Sequence, residues 1–115
     1  MKIIIAGSRS LTPSKLQIAA ALNEPCWFAT EIVSGRAQGV DMAGEIFAEA
    51  NDIPIKPFPA DWGKFGKRAG FLRNAEMAKY ADALLAFWDG QSPGTKSMIQ
   101  LMLNIGKPFV VRIIH

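Results

Sequence analysis

Glycine, serine and arginine occur together at three places where an apolar stretch of the chain ends. The three segments are Gly7-Ser8-Arg9, Ser34-Gly35-Arg36-Ala37-Gln38-Gly39-Val40-Asp41 and Asp89-Gly90-Gln91-Ser92-Pro93-Gly94-Thr95. Glycine lets a ligand approach the main chain, hydroxyl groups donate to oxygen atoms, and arginine can bind phosphate through two N–H groups. Backbone amides at a helix start add further donors to an anion. The segments therefore predict one crevice for phosphate and ribose oxygens.

Other side chains could bind the rest of such a ligand. Asp41 and Asp89 are acceptors suited to ribose hydroxyls, Arg73 is a further phosphate-binding arginine, and Trp62 with Phe65 could cover a base by stacking. Each has a simpler interpretation. Asp41 could serve only the dipole of a helix, Ser34-Gly35 could be only a turn, Trp62 could pack on the sheet edge, and Arg73 could face solvent.

Composition limits the classes of protein that this chain can belong to. Its 115 residues suit one domain over 1–115, half of them hydrophobic and a fifth charged, as in a globular protein. The single cysteine, Cys26, excludes an internal disulfide, and the residues predict neither a metal site nor a cofactor. The apolar runs are too short for a membrane helix, and the first strand leaves no room for a signal peptide, so we expect a cytoplasmic protein.

Apolar stretches alternate with helical patterns along the whole chain. The strands are predicted at Ile3–Ala6, Glu31–Val33, Ile53–Phe58 at a sheet edge, Ala83–Trp88 in the interior, and Phe109–Ile114. The helices are predicted after the N-cap Thr12 and Pro13, from Val40 with its apolar stripe running to Ala50, over Arg68–Tyr80, and along Met98–Ile105 up to Gly106. Trp27, Trp88 and the methionine row of the last helix are assigned to the core, and Cys26 is interpreted as an inert small hydrophobe.

Strict alternation of strand and helix in so short a chain predicts a fold of the α/β class. We expect a Rossmann-like domain with about five parallel strands and helices on both faces. In such sheets, ligands bind outside the carboxyl ends of the strands, where the strand order reverses. Gly7, Ser34, Pro59 and Asp89 each follow a predicted strand, so their loops should share that edge.

The order of these motifs resembles the SLOG superfamily, in particular its YspA/YpsA-related branch. The resemblance also includes Pro59-Ala60-Asp61-Trp62, Ala69-Gly70, Arg73-Asn74 with Met77, and Ala86-Phe87-Trp88-Asp89-Gly90. That superfamily contains the Lonely Guy phosphoribohydrolases and the Rossmann domain of the DNA-processing protein DprA. The resemblance implies a pocket for a nucleotide or nucleotide-derived ligand such as an ADP-ribose-like molecule, with Arg73 and Asn74 among its binding residues.

One departure from the family pattern leaves catalysis open. The Lonely Guy enzymes carry a glutamate on the last helix, and here Gly94-Thr95-Lys96-Ser97-Met98 puts Met98 in its place. Methionine can act neither as a base nor as a nucleophile in glycosidic cleavage. An N-glycosidic hydrolase or transferase would have to use Asp41 or Asp89 instead.

Two further predictions concern partners. The basic residues Lys64, Lys67, Arg68 and Arg73 lie in one segment, which is typical of a solvated helix face but is also compatible with DprA-like binding of single-stranded DNA. The modest net charge of +3 speaks against nucleic acid. We also expect a homodimer or a higher even oligomer, paired through the predicted helices that carry Phe71, Ala75 and Ala78 and the last-helix stripe.

Overall fold

A computed structural model describes residues 1–114 as one parallel sheet with helices packed on its two faces. The terminal His115, which the single-domain prediction included, lies outside the described residues. The elements in chain order are β1 (Lys2–Gly7), α1 (Lys15–Asn23), β2 (Glu31–Ser34), α2 (Val40–Ala50), β3 (Ile55–Pro57), α3 (Trp62–Phe65), α4 (Ala69–Tyr80), β4 (Ala83–Trp88), α5 (Pro93–Ile105) and β5 (Phe109–Ile113).

The five strands lie in the order β3-β2-β1-β4-β5, and every neighbouring pair is parallel. β1 is central, with Ile3 opposite Ile32 of β2 on one side and opposite Ala83 of β4 on the other. The α/β, Rossmann-like prediction is therefore confirmed, as is the edge position of β3. Because β2 and β3 extend to one side of β1 and β4 and β5 to the other, the strand order reverses between β1 and β4.

Successive residues of β1 point to opposite faces of the sheet and divide the core into two parts. Ile3 and Ile5 belong to a core cluster with buried residues of α1 and α2. Ile4 and Ala6 belong to a second cluster, with buried residues of α4 and α5. Continuous apolar sequence in β1 and β4 follows from this burial on both faces.

The start of α1 differs from the prediction. The N-cap is Ser14 rather than Thr12, and the helix begins at Lys15. Ser14 Oγ accepts the amide of Gln17 at 3.1 Å, and Gln17 Oε1 accepts the amide of Ser14 at 2.8 Å. This capping box satisfies two amides that a start at Pro13 would leave unpaired.

The segment before α4 is more ordered than the predicted loop. It forms the one-turn helix α3, capped by Asp61 Oδ1 at 3.0 Å from the amide of Lys64, and a 3₁₀ turn over Gly66–Arg68. α4 consequently begins at Ala69, one residue after the predicted Arg68. β3 is shorter than the predicted Ile53–Phe58.

Several core assignments are confirmed and others are wrong. Met98 and Met102 are fully buried, as expected for the methionine row. Trp27 and Trp88 are only half-buried, so neither lies fully in the core, although Trp27 packs against the cluster of α1 and α2. Cys26, interpreted as an inert small hydrophobe, is exposed. The stripe of α2 ends at the buried Ala48, because Ala50 lies on the exposed side of the last turn.

The outer surface of α4 and α5 bears on the predicted oligomer. Phe71 is 61% exposed and Ile105 is 47% exposed, whereas Ala78, Met98 and Met102 are covered within the subunit. Only part of the apolar surface assigned to pairing is therefore free, and the homo-oligomer stays a prediction. Within residues 1–114, no helix has the length and apolar character needed to cross a membrane.

We predict that Gly44→Ala destabilises the fold. A Cβ atom at Gly44 would lie 2.8 Å from both Cβ and Cγ2 of Ile5, so α2 would have to move away from β1. Overpacking of this kind costs about 1–3 kcal/mol, more than the roughly 0.5–1 kcal/mol that alanine gains over glycine in a helix. Urea unfolding should show a net loss of free energy of unfolding.

Gly63→Ala in α3 is the matched control, because the nearest atom to a Cβ there is Asp61 Oδ1 at 3.8 Å. It should leave the free energy of unfolding within about 0.5 kcal/mol of the parent or raise it. Equal stability of the two variants would show that α2 is not held against β1 at this distance.

Candidate functional site

A cavity of about 420 Å³ opens at the carboxyl edge of the sheet, between the loops that follow β1 and β4. We call it the first cavity. Its lining consists of Ala6, Gly7, Ser8, Arg9, Ser10, Ala37, Asp41, Arg73, Asn74, Met77, Ser92, Pro93, Gly94, Thr95 and Met98. It lies where the strand order reverses, which is the position predicted for a ligand.

A second cavity of about 320 Å³ adjoins the first on the side of β2 and β3. It is lined by Arg9, Gly35, Arg36, Ala37, Gln38, Pro59, Ala60, Trp62 and Arg73. Arg9, Ala37 and Arg73 line both cavities, so the two meet along these residues. Together they form a cleft across the carboxyl ends of β1, β2 and β4.

Close packing at the end of β1 fixes one wall of the first cavity. A Cβ atom on Gly7 would lie 2.0 Å from the carbonyl oxygen of Phe87, so only glycine lets β1 and β4 approach this closely. The next residue, Ser8, is buried and links the two loops. Its amide donates to the carbonyl of Phe87 at 3.1 Å, its hydroxyl accepts the amide of Asp89 at 3.0 Å, and its Oγ lies 3.0 Å from that of Ser92.

The loop between β2 and α2 contributes residues to both cavities. Gly39, the N-cap, has a φ of 77°, and a Cβ there would lie 2.5 Å from the carbonyl oxygen of Arg9. Gly35 was also expected to use conformations closed to other residues, but the left-handed residue at that end of the loop is Arg36, with φ 63°. Gly35 supplies space instead, since a Cβ there would lie 2.8 Å from Asp41 Oδ2.

Some backbone amides predicted to bind the ligand are used inside the protein. The amide of Arg36 donates to Ser34 Oγ at 3.2 Å, and that of Ala37 donates to Asp41 Oδ2 at 3.3 Å. The amide of Val40 donates to the carbonyl of Ser8 at 3.4 Å. Fewer backbone amides of this loop are therefore free to bind a ligand than the sequence predicted.

Asp41 is a buried carboxyl group in the lining of the first cavity. It is 5% exposed, and burial raises its pKa from the usual 3.8 to about 6. The amide of Ala37, the charge of Arg73 and the amide of Gly7 oppose this rise, whereas the charge of Glu45 adds to it. Asp41 therefore titrates close to neutral pH, which ordinary aspartates do not.

Arg73 extends from α4 to the boundary between the cavities. Its Nη1 donates to the carbonyl of Gly35 at 2.5 Å and its Nε donates to Asn74 Oδ1 at 3.0 Å. Burial lowers its pKa, the charge of Asp41 raises it, and the charge of Arg9 lowers it further. The interpretation of Arg73 as a purely solvent-facing residue is wrong, because its guanidinium is bonded within the cleft.

Glu45 is the polar residue that the sequence analysis missed. It is 6% exposed, accepts the hydroxyl of Ser34 at 2.7 Å and pairs with Arg36 Nη1 at 2.5 Å. Ser34 and Arg36, both predicted to bind phosphate, are thus engaged with a protein carboxylate. The available signal was spacing, since Glu45 lies four residues after Asp41 and shares its face of the helix.

The carboxylate of Asp89 organises its own loop. Oδ1 accepts the amides of Gln91 and Ser92, each at 2.8 Å, and the Ser92 hydroxyl lies 3.0 Å from both carboxylate oxygens. The amide of Ser92, with that of Gln91, lowers the pKa of Asp89 to about 2. Asp89 therefore remains charged at all physiological pH values, and it does not line the two cavities.

The start of α5 closes the first cavity. Thr95 is buried and lines this cavity, and its hydroxyl makes no hydrogen bond to another residue of the described chain. Asn74 Nδ2 donates to the carbonyl of Gly94 at 3.3 Å and fixes the loop against α4. A free hydroxyl next to the first amides of a long helix is suited to an anionic oxygen.

The structure brings most of the predicted binding residues to this cleft. The first cavity includes Gly7, Ser8, Arg9, Ala37, Asp41, Arg73, Asn74, Ser92, Gly94 and Thr95, and the second adds Gly35, Arg36 and Trp62. Ser34, Gly39, Asp89 and Gly90 lie outside the two linings. Phe65, Lys64, Lys67 and Arg68 also lie outside them, on exposed surface. In residues 1–114, no group of three or more His, Cys, Asp and Glu side chains could hold a metal ion.

Comparison with known proteins shows a similarity to a phage protein. The chain is 35% identical over 85 aligned positions to the Gene 61 protein of Mycobacterium phage D29, and the match covers 69% of this chain and 68% of the relative. The chain belongs to the family of that phage protein. No protein-family model matches the chain, and no solved structure matches it. The name of this relative states no activity, so the residues of the cleft are the basis for assigning a function.

We predict that Asp41 makes the protein less stable as the pH rises from about 4 to 7. The folded protein binds this proton more tightly than the unfolded chain, so the stabilisation is complete below the usual pKa of 3.8 and is lost as the pH passes about 6. The rise in pKa corresponds to about 3 kcal/mol. Asp41→Asn should therefore gain stability relative to the parent over this range, as measured by urea unfolding at stepped pH.

Asp52→Asn, which neutralises an exposed carboxylate, serves as the control. The difference in free energy of unfolding between this variant and the parent should stay nearly constant from pH 4 to 7. If Asp41→Asn behaves in the same way, Asp41 does not carry the raised pKa.

Proposed function

We propose that this chain is a SLOG-type domain that binds a nucleotide or nucleotide-derived ligand, such as a nucleoside phosphate or an ADP-ribose-like molecule. The observation that carries the proposal is the convergence of glycine, hydroxyl and arginine residues from three strand-end loops on one cleft. The protein would then bind its ligand at the carboxyl edge of the sheet, and it would act in the cytoplasm.

Positive charge in the cleft supports an anionic ligand. Neither Arg9 nor Arg73 belongs to an ion pair in the described part of the chain, whereas Arg36 is paired with Glu45. Arg9 is exposed, so its guanidinium can turn to a ligand without breaking an internal contact. Burial is the main cause of the lowered pKa of Arg73, and phosphate bound between the two arginines would relieve the smaller contribution from the charge of Arg9.

The hydroxyl and amide groups at the start of α5 support the same class of ligand. Thr95 contributes a hydroxyl that has no hydrogen-bond partner among residues 1–114, and the first amides of a helix have none within the helix. These donors and Asp41 line the same cavity. Neutral donors together with cationic ones fit a ligand that carries both ribose and phosphate oxygens.

We predict that Arg9→Ala weakens binding of ADP. A hydrogen bond to a charged group contributes about 1.5–3 kcal/mol, so the dissociation constant should rise by roughly 10- to 150-fold. Calorimetric titration with ADP measures this, after a thermal-shift screen of nucleoside phosphates, ADP-ribose and cyclic ADP-ribose. Arg9 is chosen over Arg36, because loss of Arg36 would leave Glu45 buried without its partner.

Arg68→Ala is the matched control, since Arg68 is exposed and lies outside both cavities. It should bind ADP as the parent does. If Arg68→Ala and Arg9→Ala weaken binding equally, the effect is one of net charge and is not specific to the cleft. A panel in which no nucleotide binds would refute the proposal.

A second candidate function is cleavage of an N-glycosidic bond. The observation in its favour is Asp41, a buried carboxyl group in the first cavity whose pKa of about 6 suits a general acid or base near neutral pH. Met98 lines the same cavity and supplies no such group. Asp89, with its pKa of about 2 and its carboxylate bonded to its own loop, is the weaker of the two candidates.

If the domain is an enzyme, we expect Asp41→Asn to abolish release of free base from a nucleoside monophosphate or NAD. The amide cannot exchange the proton, while it keeps an oxygen for the amide of Ala37. Chromatography of the products gives the rate, and calorimetry on the same variant shows whether binding survives. Release that is unchanged in Asp41→Asn would exclude Asp41 as the acid or base, and no release from the parent protein would exclude this function.

A further inference from the structure

The two cavities of the cleft are similar in size, and they meet at two arginines that line both of them. Their volumes, about 420 and 320 Å³, each lie near the lower end of the range of about 300–1,000 Å³ for small-molecule sites. Arg9 and Arg73 contribute to both linings. A ligand that fills only one cavity therefore leaves half of the cleft empty.

Each cavity has a feature that suits a nucleoside. The first has an apolar inner wall of Ala6, Met77 and Met98, with hydroxyl groups at its rim. The second contains Trp62, which is 51% exposed and presents a ring against which a base can stack. Phe65, the other aromatic residue of α3, lines neither cavity. Recognition of a second base therefore depends on Trp62 alone in this helix.

The boundary between the cavities carries two positive charges, those of Arg9 and Arg73. Arg73 is held in place by the carbonyl of Gly35 and by Asn74, and Arg9 lines both cavities beside it. Nη2 of Arg73 makes no hydrogen bond to another residue of 1–114, so it keeps donors for a ligand. Two guanidinium groups facing one boundary suit two linked phosphates better than one.

We propose that the ligand of this cleft is bipartite: a dinucleoside diphosphate whose pyrophosphate lies between Arg9 and Arg73 and whose two nucleosides occupy the two cavities. This rests on the proposed function and narrows its ligand class. A mononucleotide would occupy one cavity and leave the other empty. The bipartite ligand would contact Trp62 of α3 and the strand-end loops together, although these residues are far apart in the sequence.

Calorimetric titration with three adenine compounds tests the inference. AMP has one nucleoside and one phosphate, ADP adds the second phosphate, and diadenosine diphosphate adds the second nucleoside while it carries less negative charge than ADP. We expect diadenosine diphosphate to bind roughly tenfold tighter than ADP, since base stacking contributes about this factor. Tighter binding cannot then come from charge.

Trp62→Ala should remove this preference, so that diadenosine diphosphate binds no tighter than ADP, and Trp62→Phe should restore part of it. Phe65→Ala is the matched control and should keep the parent ratio of the two affinities. Thermal unfolding confirms that each variant is folded. A ratio near one in the parent, or a ratio that Trp62→Ala leaves unchanged, overturns the bipartite ligand while ADP binding still upholds the proposed function. If none of the three compounds binds, the bipartite ligand is overturned, and the proposed function fails with it only when the other nucleoside phosphates, ADP-ribose and cyclic ADP-ribose do not bind either.

Discussion

Asp41 and Glu45 lie one turn apart on α2, and both carboxyl groups are almost completely buried. A buried charge is expensive unless it is neutralised or paired, and the two residues meet this constraint differently. Glu45 pairs with Arg36 and accepts a hydrogen bond from the hydroxyl of Ser34. Burial raises the pKa of Asp41, and the charge of Arg73 partly opposes this rise. Arg36 and Arg73, the arginines beside these two carboxyl groups, also line the cleft.

The same constraint explains why residues of one type have different roles. Arg36 pairs with the internal carboxylate of Glu45, Arg73 is shared between the protein and the cleft, and Arg9 is exposed and belongs to no ion pair within residues 1–114. The carboxylates divide in a similar way. Asp89 is fully ionised because amides of its own loop surround it, whereas the buried Asp41 can gain or lose a proton near neutral pH. Position along the cleft, and not residue type, separates structural groups from groups that can act on a ligand.

Close packing of the main chain brings the polar groups of the cleft together. Gly7 brings the end of β1 against β4, and Ser8 then ties the loops that follow these strands. Gly44 lets α2 lie directly on Ile5, which sets the depth of its first turn beside the sheet. The cleft is therefore rigid on the side of β1, α2 and β4. On its other side it is bounded by the exposed Trp62 of a one-turn helix.

The sequence by itself determined the fold class, the edge position of β3 and the set of loops that form the cleft. These follow from local signals, because alternation of apolar strands with helices allows few arrangements of a parallel sheet. The start of α1 is also a local signal, the capping box of Ser14 with Gln17, although the prediction placed the N-cap at Thr12. The sequence did not separate Asp41 from Asp89 or reveal Glu45. Only the tertiary structure decided these, because burial and the partners brought by distant segments set the charge and availability of each group.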